Sequence, residues 1–348
     1  MELAAPAIWL RDNCSCQRCR HANGQKLHGV NDLTAELRVA EINEVGDEIR
    51  IRFDGDPHEA VFDRDWLTGW WSGEAEGDGR TEDSKQTWSD EIPECDWDRY
   101  LAEPSSALTA LEAVLRTGFV LLHGVPTDDG AVLDVADSFG FVRVTNYGDL
   151  FDVRVEADPN NLAFTSLPIT PHTDNPYRDP VPTIQLLHCL QNAASGGDSG
   201  LVDGFRAAAI LRDERPDAFE VLTSTEVSFA FASADAELRA TRPMIGLDTA
   251  GRIREVRFNN RSLQPLRGSA ERVERFYAAY RALDEILNRQ ELRLVLRLAP
   301  GDCLVFDNTR VLHARTAFGS IGDRHLQGCY ADLDGLASTV AVLRRELG

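Results

Sequence analysis

The chain has 348 residues, 43% of them hydrophobic, and carries a formal net charge of −21. That length accommodates one large domain plus a smaller one, and the apolar share is that of a globular protein. So negative a balance leaves no basic stripe to neutralise phosphates, which excludes nucleic acid as a partner, and no apolar run approaches the roughly 20 residues that span a bilayer.

At the start, Met1-Glu2-Leu3-Ala4-Ala5-Pro6 lacks the basic stretch and apolar core of a secretory signal. Seven cysteines in a chain this long do not make a disulfide scaffold, so a cytoplasmic setting is expected. Cys14-Ser15-Cys16-Gln17-Arg18-Cys19 places three thiols in one tight loop. A thiolate-rich tetrahedral site favours zinc, and the fourth ligand would come from His21, His28 or His58. Four protein ligands with no open position make a zinc ion structural, coupled to folding rather than to chemistry. The competing reading is three reduced thiols without a metal. Alternation in Ala35-Glu36-Leu37-Arg38-Val39 and in Glu48-Ile49-Arg50-Ile51-Arg52-Phe53 predicts half-exposed antiparallel strands. Trp66, Trp70 and Trp71 fall in a short helix that closes this domain. Ser72 to Lys85 is rich in Gly, Glu, Asp and Ser without apolar periodicity and reads as an acidic linker. The domains are therefore drawn as residues 1–85 and 86–348, with the second region beginning near Trp88 and Ile92-Pro93.

In that second region, Leu108 to Thr117 has helical spacing and precedes Phe119-Val120-Leu121-Leu122, a buried strand. Ala131 to Phe139 reads as another helix. His172-Thr173-Asp174 then puts an imidazole and a carboxylate two residues apart, on one face if the segment is an extended strand. From Glu271 to Gln290 an amphipathic helix is predicted, with Val273, Phe276, Tyr277, Tyr280, Leu283 and Leu287 on its packing face. Pro300-Gly301-Asp302 is a turn before the buried run Cys303-Leu304-Val305-Phe306. His313 follows in the alternating run Val311-Leu312-His313-Ala314-Arg315, and Arg324 opens a further strand. Two imidazoles and one carboxylate bind Fe(II) on one side of its octahedron and leave the opposite positions open. A guanidinium nearby supplies a planar fork for a carboxylate. Singly, His313 reads as a satisfied core histidine and Arg324 as a surface residue; the ordered set favours the metal reading.

The order His-x-Asp, distal His, then Arg resembles the Fe(II)/2-oxoglutarate oxygenases. The text around it is similar to their γ-butyrobetaine and trimethyllysine hydroxylase branch over nearly the whole chain. It comprises His172-Thr-Asp-Asn-Pro, Gln185-Leu-Leu-His-Cys189, Gly196-Gly-Asp-Ser199, Val202-Asp-Gly-Phe205, Phe306-Asp-Asn308, Arg310-Val-Leu-His313 and Arg324-His-Leu-Gln-Gly328. The resemblance implies a mainly β fold with flanking helices (α+β): a double-stranded β-helix, or jelly roll, preceded by a small zinc-binding α/β domain. It selects His58 as the fourth zinc ligand. It implies Fe(II) on His172, Asp174 and His313, with 2-oxoglutarate chelating the iron, Leu187 beside it and Arg324 on its distal carboxylate. O2 is the oxidant, ascorbate is expected to support turnover, and a homodimer is expected.

The same resemblance implies an aromatic cage for a trimethylammonium group, whose charge is attracted to ring faces. Tyr147, Phe151 and Tyr330 match the cage positions; Asn161 and Asn259 or Asn260 match those that receive the substrate's anionic end. Phe151 stands where tryptophan is common in the animal enzymes, while Asn175 and Phe164 replace tyrosines. Arg178 and Arg261 lie near these segments, either solvent-facing or turned toward a more highly charged group such as a phosphonate. The expected reaction is hydroxylation of γ-butyrobetaine to L-carnitine, with 2-(trimethylammonio)ethylphosphonate or trimethyllysine as alternative substrates. Asp174 argues against halogenation, since related halogenases lack that carboxylate. A non-catalytic zinc- and ligand-binding jelly roll is the competing class; zinc hydrolysis at the same triad lacks a matched general base.

Overall fold

The computed structural model describes residues 5–34, 36–72, 85–88, 91–155, 165–319 and 323–348, and the chain separates into units Met1–Gly77 and Asp78–Gly348. In the first unit, α1 (Ala7–Asp12) leads into the cysteine loop. An antiparallel meander follows: β1 (Arg38–Val45), β2 (Glu48–Asp54) and β3 (Asp56–Asp63), closed by α2 (Arg64–Ser72). Alternate residues Ile49 and Ile51 on β2 and Ala60 and Phe62 on β3 are buried with Leu10 and Leu67. His58 shares the β3 face of Ala60 and Phe62, so the period of two that builds this core also turns an imidazole inward. The first strand begins at Arg38 rather than at Ala35, which lies outside the described residues. Its register is set from the other end, where Val45 pairs with Glu48 across a turn that holds Gly46 at φ 62°. Of the expected linker, residues 73–84 lie outside the described residues.

The second unit opens with β4 (Glu94–Asp96), α3 (Trp97–Ala102) and α4 (Pro104–Thr117), which proline starts at its first turn. Gly118 ends α4 in the left-handed region at φ 93°, and a Cβ there would meet Val311 Cγ2 at 2.9 Å. Then come β5 (Phe119–His123), α5 (Ala131–Asp137), β6 (Phe151–Val153), β7 (Ile169–His172), β8 (Ile184–Asn192) and β9 (Ser199–Asp203). Helices α6 (Gly204–Glu214) and α7 (Pro216–Ser224) precede two hairpins, β10 (Val227–Ala232) with β11 (Glu237–Arg242) and β12 (Ile245–Leu247) with β13 (Ile253–Val256). The chain finishes with α8 (Ala270–Leu287), β14 (Arg293–Leu296), β15 (Cys303–Asp307), β16 (Val311–Arg315), β17 (Arg324–Ala331) and α9 (Leu333–Leu347).

Two sheets face each other, one ordered β4-β5-β15-β8-β17-β6 and the other β14-β9-β16-β7. Pairing is antiparallel throughout both except between β4 and β5. This is the jelly roll expected from the sequence. Phe119, Leu121, Leu187, Leu304, Phe306 and Leu326 of the larger sheet meet Leu201, Leu296 and Val311 of the smaller one between the layers. The intervening residues Val120, Leu122, Ile184, Leu186 and Val305 point the other way, under α3, α4, α5 and α9. Helices α6, α7 and α8 cover the outer face of the smaller sheet over Val202 and Leu312. Strands buried on both faces must be apolar at successive positions, which is why Phe119–Leu122 and Cys303–Phe306 read as continuous runs. Helix α8 buries Phe276, Leu283 and Leu287 as expected, but Tyr277 is 51% exposed. No helix among the described residues is long and apolar enough to cross a membrane.

Candidate metal centre and substrate cavity

Antiparallel pairing of β7 with β16 sets His172 directly opposite His313, with the ring centroids 4.1 Å apart. The strand ends there, so Asp174 does not reach the cluster by strand alternation. A pinned loop delivers it: the amide of Asp174 donates to Asn308 Oδ1 at 2.8 Å, and Asn308 Nδ2 donates to the Asp174 carbonyl at 3.0 Å. The amide of Thr173 donates to the Phe258 carbonyl at 2.9 Å, and Asn259 Nδ2 to the Thr173 carbonyl at 2.9 Å. Asn175 then takes φ 54°, a region that asparagine tolerates better than most residues. The result places His172 Nε2 3.4 Å from Asp174 Oδ1 and His313 Nε2 3.9 Å from Asp174 Oδ2.

These donors suit a divalent ion. His172 Nδ1 faces the Thr170 carbonyl at 2.9 Å, so Nδ1 carries the proton and Nε2 keeps its lone pair toward the centre. Cis donors on bonds of ~2.1 Å would stand about 3 Å apart, a contraction of some tenths of an ångström from the arrangement seen. Burial opposes ionisation of Asp174, but the two imidazoles packed against it outweigh that cost, His172 first and then His313, and hold its pKa far below the carboxylate range. Burial, then the neighbouring His172, pushes His313 down to about 3, which keeps it a neutral ligand. A carboxylate beside two imidazoles is the donor set of the non-haem iron site.

The set opens on a cavity of ≈ 530 Å³ between the sheets, lined also by Tyr147, Phe151, Asn175, Gln185, Leu187, Asn259, Arg324 and Tyr330. On one wall the rings run in series. Tyr330 lies 5.2 Å from Phe151, Phe151 6.2 Å from Tyr147, Tyr147 5.8 Å from Phe231 and Phe231 5.2 Å from Tyr177. The Tyr147 and Tyr177 hydroxyls are 3.2 Å apart, and Tyr177 donates to Asn175 Oδ1 at 2.7 Å. Arg324 is buried, its guanidinium stacked 5.4 Å over Phe318, and its Nε has no partner among the described residues. Gly197, at φ 74°, makes room for it, since a Cβ there would come within 2.9 Å of that nitrogen. A buried guanidinium without a carboxylate is costly unless an anion arrives to meet it. Arg315 stacks on the same Phe318 ring at 5.0 Å and donates to the Thr165 and Leu167 carbonyls at 2.6 and 2.8 Å.

In the first unit the cysteine loop meets β3. His58 Nε2 lies 3.3, 3.6 and 3.3 Å from the sulfurs of Cys14, Cys16 and Cys19. With Zn–S near 2.3 Å and Zn–N near 2.05 Å, a tetrahedral nitrogen stands about 3.5 Å from each sulfur, so His58 already has the spacing of a closed zinc site, and all four donor atoms lie within 4.8 Å of one another. The Val61 amide donates to Cys14 Sγ and Arg11 Nη1 to Cys19 Sγ, each at 3.3 Å. Of the other candidates for fourth ligand, His28 pairs with Asp12 at 3.2 Å and His21 is exposed.

Residues 80–330 match the family described as Taurine catabolism dioxygenase TauD, TfdA family, and residues 2–68 match Gamma-butyrobetaine hydroxylase-like, N-terminal. The chain belongs to the TauD/TfdA dioxygenases. It is 37% identical to a gamma-butyrobetaine dioxygenase of Pseudomonas sp. (strain AK-1), over 97% of this chain and 90% of that one. It is 28% identical to a trimethyllysine dioxygenase of Meyerozyma guilliermondii, over 97% and 89% respectively. Among solved structures, an asparagine oxygenase bound to Fe(II), 2S,3S-3-hydroxyasparagine and succinate shares the fold, with TM-score 0.53, 19% identity and coverage of 68% of this chain and 82% of that one. As a TauD/TfdA dioxygenase the chain is an enzyme that uses Fe(II) and 2-oxoglutarate.

In this dioxygenase the cavity gathers Tyr147, Phe151, Asn175, Leu187, Asn259, Arg324 and Tyr330 around His172, Asp174 and His313. Asn260 lines a separate groove beside Tyr277, Tyr280 and Asp284. Asn161 and Phe164 lie outside the described residues. The Asn259 amide is committed inside the protein, to the Thr173 carbonyl through Nδ2 and to the Arg261 amide through Oδ1 at 3.1 Å. Arg261 faces the cavity, whereas Arg178 donates to Asn146 Oδ1 at 2.8 Å. Sequence reasoning missed Gln185, Asn308, Tyr177, Ser262 and Phe231. Gln185 and Asn308 stand inside motifs quoted above and were legible as side chains near the metal. Phe231 carries no signal, because Val227-Ser228-Phe229-Ala230-Phe231-Ala232 is ordinary hairpin alternation.

Proposed function

We propose that this dioxygenase hydroxylates a small zwitterion with a trimethylammonium group, γ-butyrobetaine foremost, to give L-carnitine. The observation that carries this reading is a wall of aromatic rings in the same cavity as the two imidazoles and the carboxylate. A quaternary ammonium cannot donate hydrogen bonds, so ring faces are the complement it has, worth about 0.5–1 kcal/mol at exposed sites and about 2 kcal/mol when desolvated. We assign Tyr147, Phe151 and Tyr330 to that wall and add Tyr177 and Phe231. Phe164 and Asn161 are assigned to the same pocket from the sequence.

His172, Asp174 and His313 would hold Fe(II), and Arg324 would pair with the distal carboxylate of 2-oxoglutarate beside Leu187. Fe(II) there supplies O2 activation coupled to oxidative decarboxylation of 2-oxoglutarate to succinate and CO2, which places a hydroxyl on an unactivated C–H bond. The protein supplies position. Rings fix the cationic end and donors fix the anionic end, so that one carbon faces the metal. For the anionic end we assign Arg261, which has no ion-pair partner among the described residues, together with Ser262 Oγ and Asn175 Nδ2. Both of those atoms are buried and without partners there. Asn259 braces this loop from behind. We also propose zinc on Cys14, Cys16, Cys19 and His58 as a folding element of a first domain within residues 1–85, with catalysis in 86–348.

Arg261, without an ion-pair partner among the described residues, favours 2-(trimethylammonio)ethylphosphonate as second substrate, because a doubly charged group gains more from a guanidinium than a carboxylate does. Succinate release measured over γ-butyrobetaine, the phosphonate and trimethyllysine discriminates among the three. Turnover highest with γ-butyrobetaine is expected, and release with none of the three refutes the substrate class.

A further inference from the structure

Tyr330 has two roles in the geometry. Its ring belongs to the aromatic wall, and its hydroxyl donates to Asp174 Oδ2 at 3.0 Å. Gln185 Nε2 donates to the same oxygen at 2.9 Å; only the amide nitrogen can donate to a carboxylate, which fixes the orientation of that amide. Both side chains are buried, Gln185 at 1% and Tyr330 at 3% exposure, so these are charge-assisted bonds shielded from water. A carboxylate oxygen offers about two lone-pair sites, and two donors fill those of Oδ2. Oδ1, which faces His172 Nε2 at 3.4 Å, keeps its own.

We propose that Gln185 and Tyr330 are positioning residues that hold Asp174 as a one-oxygen ligand, and that Tyr330 thereby links filling of the aromatic wall to the metal set. The proposal rests on the metal assignment above; its second half rests also on the trimethylammonium reading. Two imidazoles and one carboxylate oxygen leave three positions of an octahedron, which a bidentate co-substrate and O2 require in full. Freed of its two donors, the carboxylate can turn about its Cβ–Cγ bond and present both oxygens, closing one of those positions. Tyr330 cannot shift to meet a cation without moving the oxygen it holds, so a filled cage and a correctly set carboxylate report on one another.

The test uses the full-length, zinc-loaded protein as Tyr330→Phe and as Gln185→Met. Phenylalanine keeps the ring and removes the hydroxyl; methionine keeps the length and removes the amide. Anaerobic calorimetry with a further equivalent of Co(II), without substrate, reads the metal set alone and is independent of which trimethylammonium compound is turned over. Each variant is expected to bind Co(II) roughly 10-fold more weakly, the scale of losing a partner that orients a metal ligand. Tyr330→Phe is also expected to release more succinate per hydroxylated product while the betaine KM stays within a few-fold. Dissociation constants within twofold of the parent in both variants, with melting temperatures preserved, overturn the clamp. Unchanged coupling in Tyr330→Phe overturns the link to the cage. A parent protein that takes up no second ion overturns the metal assignment, and this proposal with it.

Discussion

Replacing Arg310 with methionine should unfold the second unit more readily than almost any other single change outside the apolar core. Arg310 is 1% exposed and grips Asp203 through Nε–Oδ1 at 3.1 Å and Nη2–Oδ2 at 2.6 Å, a bidentate pair with both partners out of water. Its remaining donors reach the Arg116 carbonyl at 2.8 Å and the Gln86 carbonyl at 3.0 Å. Asp203 in turn caps α6, accepting from the amides of Phe205 at 3.0 Å and Arg206 at 3.3 Å. Arg310→Met leaves a buried carboxylate with only those two amides and strips donors from two carbonyls. Breaking one side of such a pair costs about 3–5 kcal/mol. At about 2–4 °C per kcal/mol for a domain of this size, the melting temperature should fall by roughly 6–20 °C. The double variant Arg310→Met/Asp203→Asn should recover a large part of that loss, because it removes the orphaned charge and keeps a side-chain oxygen for the cap. The pair also pins the start of β16, where Val311 lies opposite Asp203 two residues before His313. Melting curves of the four proteins in the cycle are the assay. A fall of less than ~2 °C for Arg310→Met, or strict additivity of the two changes, refutes the reasoning.

Arg324→Met should raise the 2-oxoglutarate requirement roughly 30- to 1000-fold, corresponding to about 2–4 kcal/mol for a desolvated charge pair, while the betaine KM moves less than several-fold; steady-state kinetics in each substrate check it. Cys16→Ser should lower zinc content and destabilise the first unit, since binding and folding are coupled there; metal analysis and melting of the variant read both, and intact zinc with normal stability counts against a structural site. Asp152 is held below its ordinary pKa of 3.8: burial opposes this, but the hydrogen bonds from His325 at 2.6 Å and Gln327 at 3.1 Å prevail. A depressed carboxylate contributes stability that is complete above about pH 4 and is lost as pH falls through the folded value. The stability gap between the parent and Asp152→Asn should therefore be constant near neutrality and close only in that acid range. A gap that instead widens on acidification contradicts the assignment.

The sequence by itself determined the kinds of group and the kinds of element. Apolar runs at Phe119–Leu122 and Cys303–Phe306 dictate strands buried on both faces, and the spacing of Phe276, Leu283 and Leu287 dictates the packed face of α8. Donor chemistry in Cys14, Cys16, Cys19, His172, Asp174 and His313 was legible because sulfur, imidazole and carboxylate have few other uses in such patterns. Convergence was not legible, because it depends on register between strands far apart in the chain. Only the pairing of β7 with β16 puts His313 opposite His172, and only the bonds from Asn308 and Asn259 turn a loop, rather than a strand, into the carrier of Asp174. The arrival of Phe231 at the aromatic wall was decided in the same way. Local pattern sets which face a side chain takes on its own element, and tertiary packing alone sets what that face meets.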